Sequence, residues 1–377
     1  MKAVYIASDN IISPLGNTAA ENYLRIKNGE SGIERITDAT LTPEAFYASM
    51  FQKTETDSRL DNFTRFENLC IESITNALSL TEINAMNENT VFILSTTKGN
   101  IELIEKEPIT ANLQKRVSLF HTAQRIALHV GFHNQPLVVS NACISGVLSM
   151  VIAQRLLQSG KYKHAVITGA DVLSKFVISG FQSLHAMSSN PCKPFDKTRD
   201  GINLGECAST IVLTTEPAFA AKEKILVNGG ASTNDANHIS GPSRTGAELA
   251  FAVKSALKES RVTESDISFI SAHGTATVYN DEMEAKAFSL AGLSNIPLHS
   301  LKGNFGHTLG AAGVVESVLT YHSLNEGIIL PSRNFGELGV TETIHVNRTL
   351  KKSDKNHALK TASGFGGCNA AIIYSKN

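Results

Sequence analysis

The chain of 377 residues has almost no net charge, with 34 lysines and arginines against 35 aspartates and glutamates. That balance leaves no electrostatic footprint for nucleic acid or an anionic membrane surface. No apolar run is long enough to span a bilayer. The opening stretch Met1–Asn10 has a single lysine, and Asp9 interrupts its apolar residues, so it predicts a first β-strand and not a signal peptide. The cysteines are Cys70, Cys143, Cys192, Cys207 and Cys368. An odd number without regular spacing argues against a disulfide framework and against a zinc ribbon. The expectation is a reduced, cytoplasmic protein. Tryptophan is absent, which decides nothing. There is no low-complexity tract and no flexible linker longer than a few residues. No metal, flavin or nucleotide motif is present. The glycine-rich stretches at 303–306 and 364–367 lack the spacing of a phosphate loop, so no bound cofactor is expected.

What the chain does have is alternation. Val4–Ala7, Val91–Ser95, Leu137–Ser140 and His164–Gly169 predict buried strands. Glu21–Asn28, Arg65–Leu78, Thr122–Val130 and Ser145–Ser159 predict helices. Ala208–Thr214 predicts an edge strand, and Glu216–Lys224 a charged connector. The pattern then restarts, with strands at Ile225–Gly229 and Ile267–Ser271 and helices at Gly246–Ser260, Asp281–Leu290 and Gly310–Asn325. Ala370–Ser375 predicts a final strand. This is an α/β layered fold in two halves of similar order, 1–219 and 220–377.

Three segments carry chemistry. Val138-Val139-Ser140-Asn141-Ala142-Cys143-Ile144-Ser145-Gly146 predicts a strand, a tight turn and a helix start, with a thiol at the bend. The helix dipole and the free N–H groups of a first turn favour thiolate there, although most buried cysteines are inert core residues. Ile270-Ser271-Ala272-His273-Gly274-Thr275-Ala276-Thr277 puts His273 just past an apolar strand. Ser300-Leu301-Lys302-Gly303-Asn304-Phe305-Gly306-His307 precedes the small-residue run Gly310-Ala311-Ala312-Gly313, which lets a helix approach another backbone closely. Two histidines in strand-end turns, with a matching cysteine, form a candidate nucleophilic site.

These segments resemble the decarboxylating Cys-His-His type of β-ketoacyl-acyl carrier protein synthase, in the thiolase superfamily. The resemblance extends over nearly the whole chain. It includes Ile12-Ser13-Pro14-Leu15-Gly16-Asn17-Thr18 and Asn28-Gly29-Glu30-Ser31-Gly32-Ile33. It also includes Lys193-Pro194-Phe195-Asp196-Lys197-Thr198-Arg199-Asp200-Gly201 with Leu204-Gly205-Glu206, and Gly364-Phe365-Gly366-Gly367-Cys368-Asn369-Ala370. Each is weak alone; their joint order is specific.

The resemblance implies a thiolase-like five-layered αβαβα fold of two βαβαβαββ halves. The first carries the nucleophile Cys143, the second His273 and His307. It implies a decarboxylative Claisen condensation of malonyl-acyl carrier protein with an acyl group held on Cys143. The catalytic set would be Cys143, His273, His307, Lys302 and Phe365. The backbone N–H groups of Cys143 and Phe365 would form an oxyanion hole, and the histidines would hold the malonyl thioester carbonyl. Lys302 and Glu316 would support the site electrostatically and orient His307, and Thr275 and Thr277 would contact malonyl. Substrates would arrive on the phosphopantetheine arm of an acyl carrier protein, with Arg59, Arg65, Arg116 and Arg125 as candidate contacts. A homodimer, or a heterodimer with a homologous ketosynthase-like subunit, is implied, with Leu119–Val130 near its axis. The cluster Asp196, Arg199, Asp200 and Glu206 reads as a structural ion-pair and turn network.

The chain departs from the family pattern in several respects. The first strand lacks the usual Thr-Gly turn after Ala7-Ser8-Asp9-Asn10, and the chain is short for an elongating synthase. Ser363 replaces an aromatic residue, and Cys368 a threonine, in the Gly-Phe-Gly-Gly segment. Lys98, in Ser95-Thr96-Thr97-Lys98-Gly99-Asn100, stands where the family limits acyl length. A lysine in an apolar pocket is costly unless paired, so it predicts short, polar, aryl or polyene acyl chains. The alternative is that Lys98 turns into an ion pair between subunits. Alternative functions are a silent chain-length-factor partner, disfavoured because Cys143 and both histidines are present, and a thiolase, disfavoured by the Lys302–His307 segment.

Overall fold

The computed structural model describes residues 2–52, 62–235 and 241–377. Arg59 lies outside the described residues. Ten strands form one sheet: β1 (Tyr5–Ile12), β2 (Thr90–Ser95), β3 (Leu137–Val139), β4 (His164–Asp171), β5 (Cys207–Thr214), β6 (Ile225–Asn234), β7 (Ile267–Ser271), β8 (Leu298–His299), β9 (His357–Gly364) and β10 (Cys368–Lys376). Their spatial order is β8-β7-β9-β10-β6-β1-β5-β4-β2-β3. Read outward from the middle, each set of five runs first, fifth, fourth, second, third. The pairing directions repeat as well. β1–β5 and β5–β4 are antiparallel, like β6–β10 and β10–β9; β4–β2 and β2–β3 are parallel, like β9–β7 and β7–β8. The two sets meet where Tyr5 of β1 pairs Leu226 of β6.

Six helices complete the layers: α1 (Arg65–Ser79), α2 (Leu119–Val130), α3 (Ser145–Gln158), α4 (Ala247–Ser260), α5 (Val278–Leu290) and α6 (Ala312–Glu326). α1 and α2 cover the first five strands, and α4 and α5 the second. α3 and α6 lie between the two sets, touching strands of both. The result is the five-layered αβαβα arrangement. α1 starts with a capping box between Thr64 and Glu67, which satisfies two of its free N–H groups. α3 and α6 are buried along most of their lengths, so they lack a polar face.

α3 and α6 cross at glycine. A Cβ on Gly146 would lie 2.6 Å from Gly313 Cα and Val314 N, so only hydrogen is tolerated there. The small-residue run thus does what its composition predicts, and the crossing brings the start of α3 beside the start of α6.

Several expected elements differ. β5 was expected at an edge, yet it lies inside the sheet between β1 and β4, with all eight residues buried. β1 runs through Asp9 and Asn10 to Ile12, because Asp9 pairs with His322 at 3.1 Å and Asn10 is buried. β9 was not anticipated, since Lys360 interrupts its apolar pattern. The Asp196, Arg199, Asp200 and Glu206 group is structural but does not form one cluster. Asp196 accepts from the N–H groups of Thr198, Gly336 and Glu337, and Asp200 from Ser188. Arg199 approaches Asp281 at 3.8 Å, and Glu206 pairs with Arg65 at 2.5 Å.

Candidate active site

Cys143 sits at the bend between β3 and α3, preceded by Ala142 with φ 44°. That left-handed turn points the thiol off the end of the sheet. His273 leaves the end of β7, where its backbone N–H and that of Gly274 donate to Glu284 of α5 at 2.8 and 2.6 Å. His307 is set by backbone: its N–H donates to Asn203 O at 2.7 Å, and its carbonyl accepts from Gly205 N–H at 3.0 Å. The Asn203–Glu206 stretch is therefore the seat of the His307 turn, which explains why the two motifs occur together.

The Cys143 sulfur and one ring nitrogen from each histidine lie within 4.8 Å of one another, all three residues buried. The imidazoles face edge to face-on, with centroids 5.1 Å apart and an interplanar angle of 83°. They line a cavity of about 330 Å³ that also presents Thr275, Thr277, Phe365, Phe181, Val278 and Tyr279. The hydroxyls of Thr275 and Thr277 hydrogen-bond each other at 2.8 Å. The Phe365 N–H points at the Cys143 sulfur. A Cβ on Gly364 would meet Cys143 N at 2.9 Å, so glycine lets that backbone close on the thiol. The Phe365 ring is 41% exposed, next to Phe181. Ser363 donates to Asn369 at 2.8 Å and pins the base of this loop.

The protonation states differ from the expectation at Cys143. Burial pushes its thiol up to about 12, against the opposing pull of the Lys302 and Lys98 ammoniums and the Phe365 N–H. Desolvation thus outweighs the helix start, and the resting nucleophile is a thiol. Burial also pushes His273 and His307 well below the usual histidine range, and the Lys302 and Lys360 ammoniums add to it. Both rings are neutral, so each has one N–H donor and one acceptor nitrogen.

Lys302 bonds Glu316 at 2.7 Å and not His307, whose ring nitrogens have no hydrogen-bond partner among the described residues. Lys302 acts on His307 through its charge, and neither Lys302 nor Glu316 hydrogen-bonds the ring among the described residues. The other oxygen of Glu316 pairs at 2.6 Å with Lys360, a residue not anticipated from the sequence. Burial works to raise Glu316, but the two ammoniums outweigh it and hold the carboxyl below its usual range.

Lys98 is half-buried. Its backbone N–H, with those of Thr97 and Gly310, converges on the buried Asp171 carboxylate. Its ammonium acts on Cys143 and forms no ion pair among the described residues. The three described candidates for carrier-protein contact are engaged internally. Arg65 pairs with Glu206, and Arg116 and Arg125 approach the buried Glu67 at 3.7 and 3.2 Å. Among the described residues no helix is long and apolar enough to cross a membrane.

Residues 1–218 match the family model "Beta-ketoacyl synthase, N-terminal domain", and residues 225–336 match "Beta-ketoacyl synthase, C-terminal domain". The chain belongs to the β-ketoacyl synthase family, whose members are acyltransferases. It is 28% identical to 3-oxoacyl-[acyl-carrier-protein] synthase 2 of Vibrio harveyi, covering 100% of this chain and 99% of that protein. It is 29% identical to the protein of the same name from Synechocystis, covering 100% and 98%. Among solved structures it resembles a β-ketoacyl synthase from Burkholderia phymatum, with TM-score 0.90 at 23% identity over 100% of both chains. It also resembles a chain of the ketosynthase in complex with its chain length factor from Xenorhabdus doucetiae, with TM-score 0.87 at 23% identity, covering 100% of this chain and 98% of that one. At such identity the structures establish the shared fold.

Proposed function

We propose that the protein is a 3-oxoacyl-[acyl carrier protein] synthase that extends an acyl group held on Cys143 by decarboxylative condensation with malonyl-acyl carrier protein. The convergence of one thiol and two neutral imidazoles on a single cavity carries this reading. The Cys143 sulfur attacks the acyl thioester carbonyl, its proton passes to an imidazole nitrogen, and the carrier-protein thiol leaves with a proton. Malonyl thioester then loses carbon dioxide. The electron pair of the broken carbon–carbon bond becomes an enolate, whose oxygen takes the N–H groups of His273 and His307. The enolate carbon attacks the acyl-Cys143 carbonyl. The tetrahedral oxyanion is held by the N–H groups of Cys143 and Phe365, and the sulfur leaves. Such a preorganised donor is worth about 3 kcal/mol of barrier.

Thr275 and Thr277, on the cavity wall, contact malonyl. Lys302 and Glu316 tune the imidazoles, and Lys98 ends the acyl pocket. Its ammonium, without an ion pair among the described residues, favours short, polar, aryl or polyene chains, in fatty acid or polyketide, including aryl-polyene, biosynthesis. Substrates ride the phosphopantetheine arm of an acyl carrier protein, and no other cofactor takes part. The chain pairs with itself or with a homologous ketosynthase-like subunit. The related structures with a chain length factor support the second arrangement. The test is condensation with malonyl-acyl carrier protein across a panel of acyl primers, for wild type and Cys143→Ala. Product from wild type alone supports the reading. No product with any primer from folded wild type points to the silent-partner role.

A further inference from the structure

Glu316 is shared by two ammoniums. Lys302 and Lys360 are both 0% exposed. Lys302 belongs to the turn that ends in His307. Lys360 comes from the middle of β9, where a side chain in a fully buried strand is ordinarily apolar. Its Nζ lies 2.6 Å from Glu316 and donates to the carbonyls of Ser271 and Ala272 at 3.2 and 3.3 Å. Those are the two residues immediately before His273. One ammonium therefore joins three elements: β9, the end of β7 that carries His273, and helix α6.

We propose that Lys360 is a positioning residue for His273, tying the strand end that carries this imidazole to Glu316 and supplying a second buried positive charge that faces both imidazoles. The chemistry it serves rests on the function proposed above; the tie itself does not.

The surrounding charges show what the lysine balances. From α6 it faces Glu316, from the turn before His307 it faces Lys302, and from α5 it faces Glu284. His299 of β8, and His273 and His307 themselves, complete the set. Glu284 accepts from the N–H groups of His273 and Gly274, from Asn280 and from the Thr361 hydroxyl. Burial raises the Glu284 carboxyl, while these donors and the Lys360 charge favour its ionised form. Two carboxylates and two ammoniums then cancel, with all three imidazoles neutral. Burial, and next the Lys360 charge, pulls His299 down to about 3. Without Lys360 the group is left one positive charge short. The field that helps keep both imidazoles neutral weakens with it, and a protonated ring has no acceptor nitrogen for the Cys143 proton.

The experiment is a pH titration of carbon-13-labelled histidine by NMR, with His273→Asn and His307→Asn identifying the two signals. It is run on wild type, Lys360→Met and Lys360→Gln, beside malonyl decarboxylation measured over the same pH range. Both wild-type imidazoles are expected to stay neutral through the ordinary histidine range. In both variants they titrate about one pH unit or more higher. The acid limb of decarboxylation moves with them, and kcat falls more than KM. Lys360→Gln keeps a donor without the charge and serves where Lys360→Met fails to fold. Unchanged titration in the variants, or a wild-type imidazole protonated above about pH 6, overturns the proposal. A titration shift without decarboxylation in wild type sinks the proposed function and leaves the role of Lys360 standing.

Discussion

Replacing Glu316 by glutamine removes the one carboxylate that two buried ammoniums share, at 2.7 and 2.6 Å. Breaking a buried pair costs about 3–5 kcal/mol, because the remaining charge is stranded in a poor solvent. Two stranded ammoniums put Glu316→Gln at the top of that range at pH 7. Unfolding entropy of about 2.1 cal/mol/K per residue gives roughly 0.8 kcal/mol/K for a chain this long. The melting temperature should therefore fall by about 6 °C. The pH dependence supplies the sharper check. In the variant Lys360, whose ammonium burial already disfavours, loses its carboxylate partner, so its folded-state pKa lies below its unfolded value, the unfolded chain binds more protons and stability rises with pH. The deficit is full at neutral pH and shrinks as pH climbs through the depressed lysine range toward about 10.4. Calorimetry of wild type and variant between neutral pH and pH 10 measures both. A loss under about 1 kcal/mol, or one that does not shrink with pH, would refute the reading of two ionised lysines held by one carboxylate.

Other outcomes test the rest of the site. Cys143, with its thiol pushed up to about 12 by burial, should be alkylated slowly at pH 7, and the rate should rise about tenfold per pH unit up to pH 10; mass spectrometry of the Cys143 peptide reads it, and a plateau below pH 8 contradicts a resting thiol. Gly146→Ala forces apart backbones that leave 2.6 Å for a Cβ, so it should destabilise the protein by about 1–3 kcal/mol and lower condensation, seen in chemical denaturation and product yield. Lys98→Ile should shift the primer profile toward longer saturated chains; an unchanged profile places the ammonium outside the acyl pocket.

The order of strands and helices was legible because short apolar runs alternate with longer mixed segments along the chain, and the motifs pointed to Cys143, His273 and His307 because glycine-rich bends lie near each of them. Lys360 was not legible for a physical reason. A charge in the middle of Leu359-Lys360-Thr361-Ala362 looks like a surface residue, and only the carbonyls of β7 and the Glu316 carboxylate make its burial tolerable. The same lysine concealed β9. Asp9 misled in the same way, since its partner His322 is distant in sequence. The thiol state of Cys143 was misjudged because a helix start is visible in sequence while the extent of burial is not. Arg65, Arg116 and Arg125 looked free for the complementary reason: Glu67 and Glu206 reach them from other elements. A buried strand or helix that contains an unexplained charge is the signal that could have found Lys360, Glu284 and Asp171.

The repeated strand order has a consequence for how this site is owned. Cys143 precedes α3 and the Lys302–His307 turn precedes α6, and these are corresponding places in the two sets of five strands. The molecule is in effect a dimer fused into one chain, with the same doorway offered twice and furnished differently. One copy of the doorway holds the nucleophile, the other an imidazole and a cation. No Cβ fits at the Gly146–Gly313 joint, so the spacing of the two doorways is set by bare backbone contact.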